Sequence, residues 1–319
     1  MTRQLAIVFL LCKIALLEVI SMAKYQIFTD SSSDLSTELR NSYGVQYFYF
    51  GLVVDGVEYL ADLDWKAYSP EEFYGWLSQG KKIKTTQVSM EEVLNKVRPY
   101  FEKGIDIIYI GCSGALTGSM NLFELAKQQL LEEFPDRKMI GFDSLAASHT
   151  LGMMVLDAAN RQKEGLSIEE LLQWLKDNQF LYNQFATVDT LTYLKAAGRI
   201  KGAKAFFGNI MGMKPIFISD RKGNNLTVNT VRGTKASLNE LFEGVKNAFV
   251  EGETKEVVIG QGMAMERAEG LKKRVEEELK VPARIEWIGP IIGATCGPGI
   301  IATFCRGKEV TRFEGDGLK

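Results

Sequence analysis

Histidine and cysteine are scarce in this chain. Its 319 residues include one histidine, His149, and four cysteines, Cys12, Cys112, Cys296 and Cys305. A single imidazole excludes His-rich metal sites and HExxH hydrolases, and leaves His149 as the one base for a Ser-His-Asp triad. No CxxC pair occurs, which excludes a disulfide scaffold and a Cys-based zinc site; a reducing cytoplasm is the expected compartment. An excess of either charge is also missing. Lys+Arg total 38 and Asp+Glu 40, a formal net charge of −2, without the basic surplus of a dedicated nucleic-acid binder. Internal repeats and low-complexity runs are absent. What is present is ordinary globular material, 46% hydrophobic and 24% charged, long enough for about two domains.

The first 21 residues stand apart. An apolar run from Leu5 to Cys12 follows Arg3, as in a signal-peptide core, but Lys13 and Glu18 interrupt it. The stretch is too charged for a membrane span of about 20 residues, and neither a small-x-small site nor a lipoprotein cleavage site closes it. The expectation is an N-terminal extension over residues 1–21, either ahead of a true start at Met22 or signal-like.

From Tyr25 onward strand and helix patterns alternate. YQIFTD reads as a strand, SDLSTELRNSYG as a short helix stopped at Gly44, and Asp55-Gly56 as a type I′ hairpin turn. Ser69 with Pro70, Ser89 with Glu92, and Ser167 with Glu170 mark helix starts. IDIIYIG and KMIGFD read as buried strands. PIFIS and LTVNTV, joined by a hairpin turn at 223–225, and later VVIG, IEWIG and IIATFC supply strands to the second half. The predicted class is α/β in two domains: a Rossmann-like parallel sheet over 22–165, and a second α/β domain with a mixed or antiparallel sheet over 166–319.

Ligands of open α/β sheets sit beyond the carboxyl ends of the strands. Here those ends are rich in hydroxyls: Thr29 to Ser33, Thr85 to Ser89, Cys112 to Ser119, and Asp143-Ser144. Three of these loops run into helices, whose free N–H groups favour an anion. Such loops suit a carboxylate or a phosphate; the plainer role for each is capping its own helix. GCSGALTGS lacks the GK[ST] of a P-loop and falls one residue short of a G-x-S-x-G elbow. Asp30, Ser113 and Asp143 are the set that a hydrolase or phosphotransferase would use. Arg199 follows a helix stop at Gly198 and Arg232 ends a strand, so both are candidates to face an acidic ligand or partner. His149 reads as structural. Cys296, with no histidine beside it to lower its pKa, reads as packing within GPIIGATCGPG.

Taken together and in order, these segments resemble the DegV family of bacterial two-domain fatty-acid-binding proteins. IFTDSSSDL is similar to its TDSxxDL, KTTQVS to KTSQPS, SGALTGS to SSxLSGT, and DSLAAS to DSxxxS. TLTYLKAAGRI is similar to TLxYLxxGGRI, and GATCGPG to GTHxGPG, with Thr295 where the family has histidine and Gly114 where it has a second serine. The resemblance spans most of residues 25–305. It implies a long-chain acyl ligand in an interdomain tunnel, its carboxylate fixed by hydroxyls among Thr85, Thr86, Ser113, Thr117, Thr295 and Ser31. Segments AFFGNIMGM and LGMMVL are the candidate tunnel walls. It also implies a carrier and not an enzyme, with no cofactor, presenting its fatty acid to a fatty acid kinase through a face that includes Arg199 and Arg232. Stable membrane insertion is not expected. The other readings are the hydrolase above and an exported solute-binding lipoprotein, which requires the first 21 residues to be a signal.

Overall fold

The computed structural model describes residues 25–201 and 212–309. The N-terminal extension and residues 205–211 of AFFGNIMGM lie outside the described residues.

β1 (Tyr25–Asp30) is apolar and largely buried. After a 3-10 turn at Ser31–Ser33 comes α1 (Thr37–Tyr43), capped by Ser36, whose hydroxyl accepts the Leu39 amide. Gly44, at φ +70°, ends it in the left-handed region that glycine enters without a Cβ clash. β2 (Gln46–Phe48), β3 (Gly51–Val54) and β4 (Val57–Leu60) follow. Asp55 and Gly56 both have positive φ, which the type I′ turn between β3 and β4 demands. α2 (Pro70–Ser78) starts on a full capping box, Ser69 with Glu72, and has Pro70 in its first turn. Next come β5 (Ile83–Thr86), α3 (Met90–Glu102), β6 (Asp106–Gly111), α4 (Ser119–Glu133), β7 (Met139–Asp143) and α5 (Ser148–Lys163).

β2, β1, β6 and β7 form a parallel sheet in that order. Parallel neighbours need long crossovers, which α1, α3 and α4 supply. β4, β3 and β5 form a separate antiparallel sheet.

The second half contains α6 (Ile168–Asn178), β8 (Tyr182–Thr187), α7 (Thr192–Ala197), β9 (Ile200–Lys201), β10 (Met213–Ser219), β11 (Asn225–Arg232), α8 (Thr234–Ala248), β12 (Val257–Gln261), α9 (Met265–Glu278), β13 (Ala283–Trp287), α10 (Pro290–Cys296) and β14 (Ile301–Arg306). Its seven-stranded sheet runs β13-β12-β14-β8-β10-β11-β9. It is mixed: β12 with β13 and β9 with β11 are parallel, the rest antiparallel. The α/β class, with one parallel and one mixed sheet, is therefore the observed one.

Several local readings change. β8 carries no apolar alternation because Asn183 and Gln184 interrupt it, yet all six residues are buried. Their amide NH₂ groups find acceptors within the fold: Asn183 donates to the Leu181 and Lys308 carbonyls, and Gln184 to Asn225 Oδ1. KTTQVS begins as edge strand β5 and not as a loop. Ser89 accepts the Glu92 amide, but the Glu92 carboxylate turns away to the Tyr49 amide and to Lys96, so only half of that capping box forms. GPIIGATCGPG contains a helix, α10, with Pro290 at its start and Gly297 just past its end. The turn read at 223–225 spans residues 220–224, since β10 ends at Ser219 and Asn225 already belongs to β11.

Two helices join the halves. α5 packs on β1 and β6 of one sheet and on β8 and β14 of the other. α10 packs on α2, β5 and α7 and on the turn after β1.

Candidate functional site

A groove of about 620 Å³ lies where β5 and the end of α2 face α7 and α10. Thr85, Thr295 and Arg199 line it together with Leu77, Tyr193 and Ala197. Successive strand residues point to opposite faces, so Thr85 faces this groove while Thr86 lies on the other side of its sheet, against Gly51 and Leu60. Thr295 Oγ1 donates to the Ile291 carbonyl of its own helix at 3.3 Å. Arg199 donates from Nε to the Leu116 carbonyl at 3.2 Å and from Nη1 to Ala197 at 2.8 Å. A guanidinium has five N–H donors, so donors remain for an anion. Lys81, Lys82 and Lys84 also line the groove, and among the described residues no Asp or Glu does. The wall of this groove thus carries cationic residues beside its hydroxyls.

Most hydroxyls of the remaining loops bond within the protein, whereas Thr29 Oγ1 and Ser33 Oγ are buried without a hydrogen-bond partner among the described residues. Ser31 Oγ donates to the Phe48 carbonyl and accepts the Phe50 amide. Asp30 Oδ1 accepts from the Ser32 amide and hydroxyl; its Oδ2 accepts from Tyr109 Oη at 2.6 Å and from the Cys112 amide at 2.8 Å. Asp143 accepts the Gly114 and Leu145 amides. Thr117 pairs with Ser119, whose hydroxyl accepts the Val88 amide. Ser113 is buried, and its Oγ accepts the Ala115 amide. Gly223, at φ +76° in the β10–β11 turn, sits so close that a Cβ there would overlap Ser113 Oγ. Ser113 has neither carboxylate nor imidazole as hydrogen-bond partner, the geometry an activated nucleophile needs. Arg232 is exposed at the end of β11, outside the groove wall. In LGMMVL, Leu151, Met154 and Val155 are core residues, while Met153 and Leu156 line a larger groove of about 770 Å³ elsewhere. The arginines of that groove are paired internally: Arg284 with Glu256 and Glu286, Arg161 with Glu164, and Arg306 with Asp157. Among the described residues the lysines and Arg199 of the smaller groove have no carboxylate partner, which makes it the better anion site.

Leu77, Tyr193, Ala197 and the three lysines were not singled out by sequence reasoning. One signal was available, since Tyr193, Ala196 and Ala197 fall on one face of α7 at the i, i+3, i+4 spacing.

The segment leading into α10 is held from the other half of the chain. His149 Nε2 bonds the Trp287 carbonyl at 3.1 Å, and Tyr74 Oη donates to the Ile288 carbonyl at 2.8 Å. Burial, aided by Arg284, pushes the His149 pKa down to about 3, so the ring is neutral and structural. Ser148 Oγ donates to Asp34 Oδ2 at 2.6 Å, and burial pushes the Asp34 carboxyl up to about 8. The two groups act on stability with opposite sign. Folded Asp34 holds a proton that the unfolded chain releases near pH 4, so it lowers stability as pH rises from about 4 to 8. Unfolded His149 takes up a proton below about 6.5 that the folded state refuses, so it lowers stability as pH falls. Between pH 6.5 and 8 Asp34 acts alone of the two. The urea midpoint is expected to fall across that interval, equivalent to about 2 kcal/mol, and Asp34→Asn is expected to flatten it. An unchanged slope in Asp34→Asn would contradict this assignment.

Among the described residues no group of three His, Cys, Asp or Glu side chains is placed to hold a metal, and no helix is long and apolar enough to cross a membrane. A family model described as "uncharacterised protein, DegV family" matches residues 24–308. A DegV domain-containing protein of Clostridium perfringens is 31% identical over 287 residues, covering 90% of this chain and 98% of its own. Among solved structures, a DegV family protein from Thermus thermophilus, described by its fatty acid binding, superposes with TM-score 0.79 at 28% identity over 89% of this chain and all of its own. A stearic-acid-binding protein from Eubacterium ventriosum, at 24% identity, shares the fold with TM-score 0.80 over 89% of this chain and 99% of its own.

Proposed function

The chain belongs to the DegV family, and from that premise we propose that it is a fatty-acid carrier, not an enzyme, which takes a long-chain acyl ligand between its two halves and presents it to a fatty acid kinase. The observation that carries this reading is the groove in which Thr85, Thr295 and Arg199 meet with three lysines and, among the described residues, no carboxylate on the wall. The ligand carboxylate binds Arg199 through charge-assisted hydrogen bonds and takes neutral ones from Thr85 and Thr295. Thr295 supplies a hydroxyl where the family pattern has an imidazole, so Arg199 provides the countercharge. The acyl tail runs inward past Tyr193 and Ala197. Each buried CH₂ contributes about 0.8 kcal/mol, so the tail drives affinity and the polar groups fix one end.

Ser31, Ser113 and Thr117 serve by shaping the loops around this end. Arg232, exposed at the end of β11, is a candidate contact for the kinase. The described cysteines, Cys112, Cys296 and Cys305, are free and buried, in keeping with a cytoplasmic carrier.

The test is direct. Protein purified without added lipid should carry an acyl mass in native mass spectrometry. After delipidation it should bind one equivalent of palmitate or oleate by calorimetry. Delipidated, folded protein that binds neither acid would sink the proposal.

A further inference from the structure

One helix reaches all three polar groups of the groove. α2 leads through Gly80 into β5, and so carries Thr85 by chain continuity. Near its middle, the fully buried Tyr74 donates from Oη to the Ile288 carbonyl, two residues before α10, the helix of Thr295. At its end, the Leu77 carbonyl accepts from Tyr193 Oη at 2.8 Å, and Tyr193 belongs to α7, which leads into Arg199. Both hydroxyls cross from one half of the chain to the other.

The fit around the two rings is close. A Cβ on Gly293 of α10 would stand 2.7 Å from Tyr74 Oη and 2.8 Å from the Phe73 ring. Gly297, at φ +78° just past α10, leaves room for the Tyr193 ring, which any side chain there would overlap. Tyr193 is thus wedged between the ends of α2 and α10 and lines the groove with its own ring.

We propose that Tyr74 and Tyr193 are the positioning residues of the head-group site. Their hydroxyls hold α10 and α7 at fixed separations from β5, and thereby set Thr295 and Arg199 against Thr85. A carboxylate is recognised only when donors from three segments converge on it, whereas an acyl tail tolerates slack. Misplacement of about 1 Å is enough to cost an oriented contact heavily. The two tyrosines therefore govern discrimination between a fatty acid and an uncharged chain of equal length. This inference rests on the fatty-acid reading above.

The experiment uses the full chain, delipidated, with palmitate and hexadecanol as probes, and Tyr74→Phe and Tyr193→Phe as variants that lose one oxygen each. Wild type should prefer the acid. Tyr193→Phe should lower that preference about tenfold by weakening the acid, with hexadecanol affinity within about twofold of wild type. Tyr74→Phe buries a free carbonyl and is checked for folding by circular dichroism; Tyr193→Phe keeps the test decisive if it does not fold. In an Arg199→Ala background, Tyr193→Phe should have little further effect, because the tyrosine acts through Arg199 and coupled residues are non-additive. Equal weakening of acid and alcohol, unchanged preference, or full additivity with Arg199→Ala would each overturn the positioning role. A wild-type chain that binds neither probe would instead overturn the fatty-acid reading itself.

Discussion

Asp30→Ala is expected to cost about 4 kcal/mol or more of stability, with a fall in melting temperature of roughly 10 °C. Asp30 is completely buried, and its two oxygens accept from the Ser32 amide and hydroxyl, Tyr109 Oη and the Cys112 amide. Alanine leaves Tyr109 Oη and the Cys112 amide in the interior without acceptors, at about 1–3 kcal/mol each, and opens a cavity between β1 and β6. Burial raises the Asp30 carboxyl above its usual range while these hydrogen bonds oppose the shift, so the donors are what make a buried carboxylate tolerable. Asp30→Asn keeps one acceptor oxygen but turns an NH₂ toward donors, and should recover about half of the loss. Urea unfolding of the three proteins checks this. The result also separates two roles: a carboxylate kept only for chemistry is dispensable for stability, so a variant as stable as wild type would remove Asp30 from the frame of the N-terminal half.

Features set by neighbours in sequence were legible before any coordinates. Ser69 with Pro70, Ser167 with Glu170, and Asp55-Gly56 form the caps and turn that their residues prescribe, because each is fixed by backbone sterics and a donor within a few residues. Long-range partnerships were not legible. Glu92 stands in the right place for a capping box, yet it bonds the Tyr49 amide, which sequence spacing cannot reveal. β8 hides because Asn183 and Gln184 donate to segments distant in sequence. The hydroxyl-rich loops show the same limit more sharply. Sequence reveals that Ser31, Ser113, Thr117 and Thr85 end strands, but only the fold shows that the first three bond within the protein while Thr85 faces a groove. Arg199 was legible as a cation beside a helix stop. That it shares a wall with Thr85 and Thr295 depends on α2 docking two helices of the other half.

The groove makes the charge of the ligand decisive, and Arg199→Glu is expected to weaken palmitate binding about 100-fold or more, a loss of about 3 kcal/mol. Reversal removes the charge-assisted bonds and sets a carboxylate against a carboxylate, with Lys81, Lys82 and Lys84 on the same wall to offset part of the repulsion. Arg199→Lys keeps charge but loses the planar fork, and should fall between the two. Thr85→Val removes one neutral donor and should cost about tenfold, or about 1.4 kcal/mol. Arg199 is exposed, so its variants should melt within a degree or two of wild type, because surface changes seldom exceed about 0.5 kcal/mol. A loss of affinity without a loss of stability is what identifies a ligand contact. Competition calorimetry at two salt concentrations completes the test. Wild-type affinity should drop modestly as salt rises, since Arg199 lies at the surface and is screened, and Arg199→Glu should recover part of its loss as its repulsion is screened in turn. If Arg199→Glu binds palmitate as well as wild type at low salt, the carboxylate does not sit in this groove, and the acyl ligand must enter the fold elsewhere.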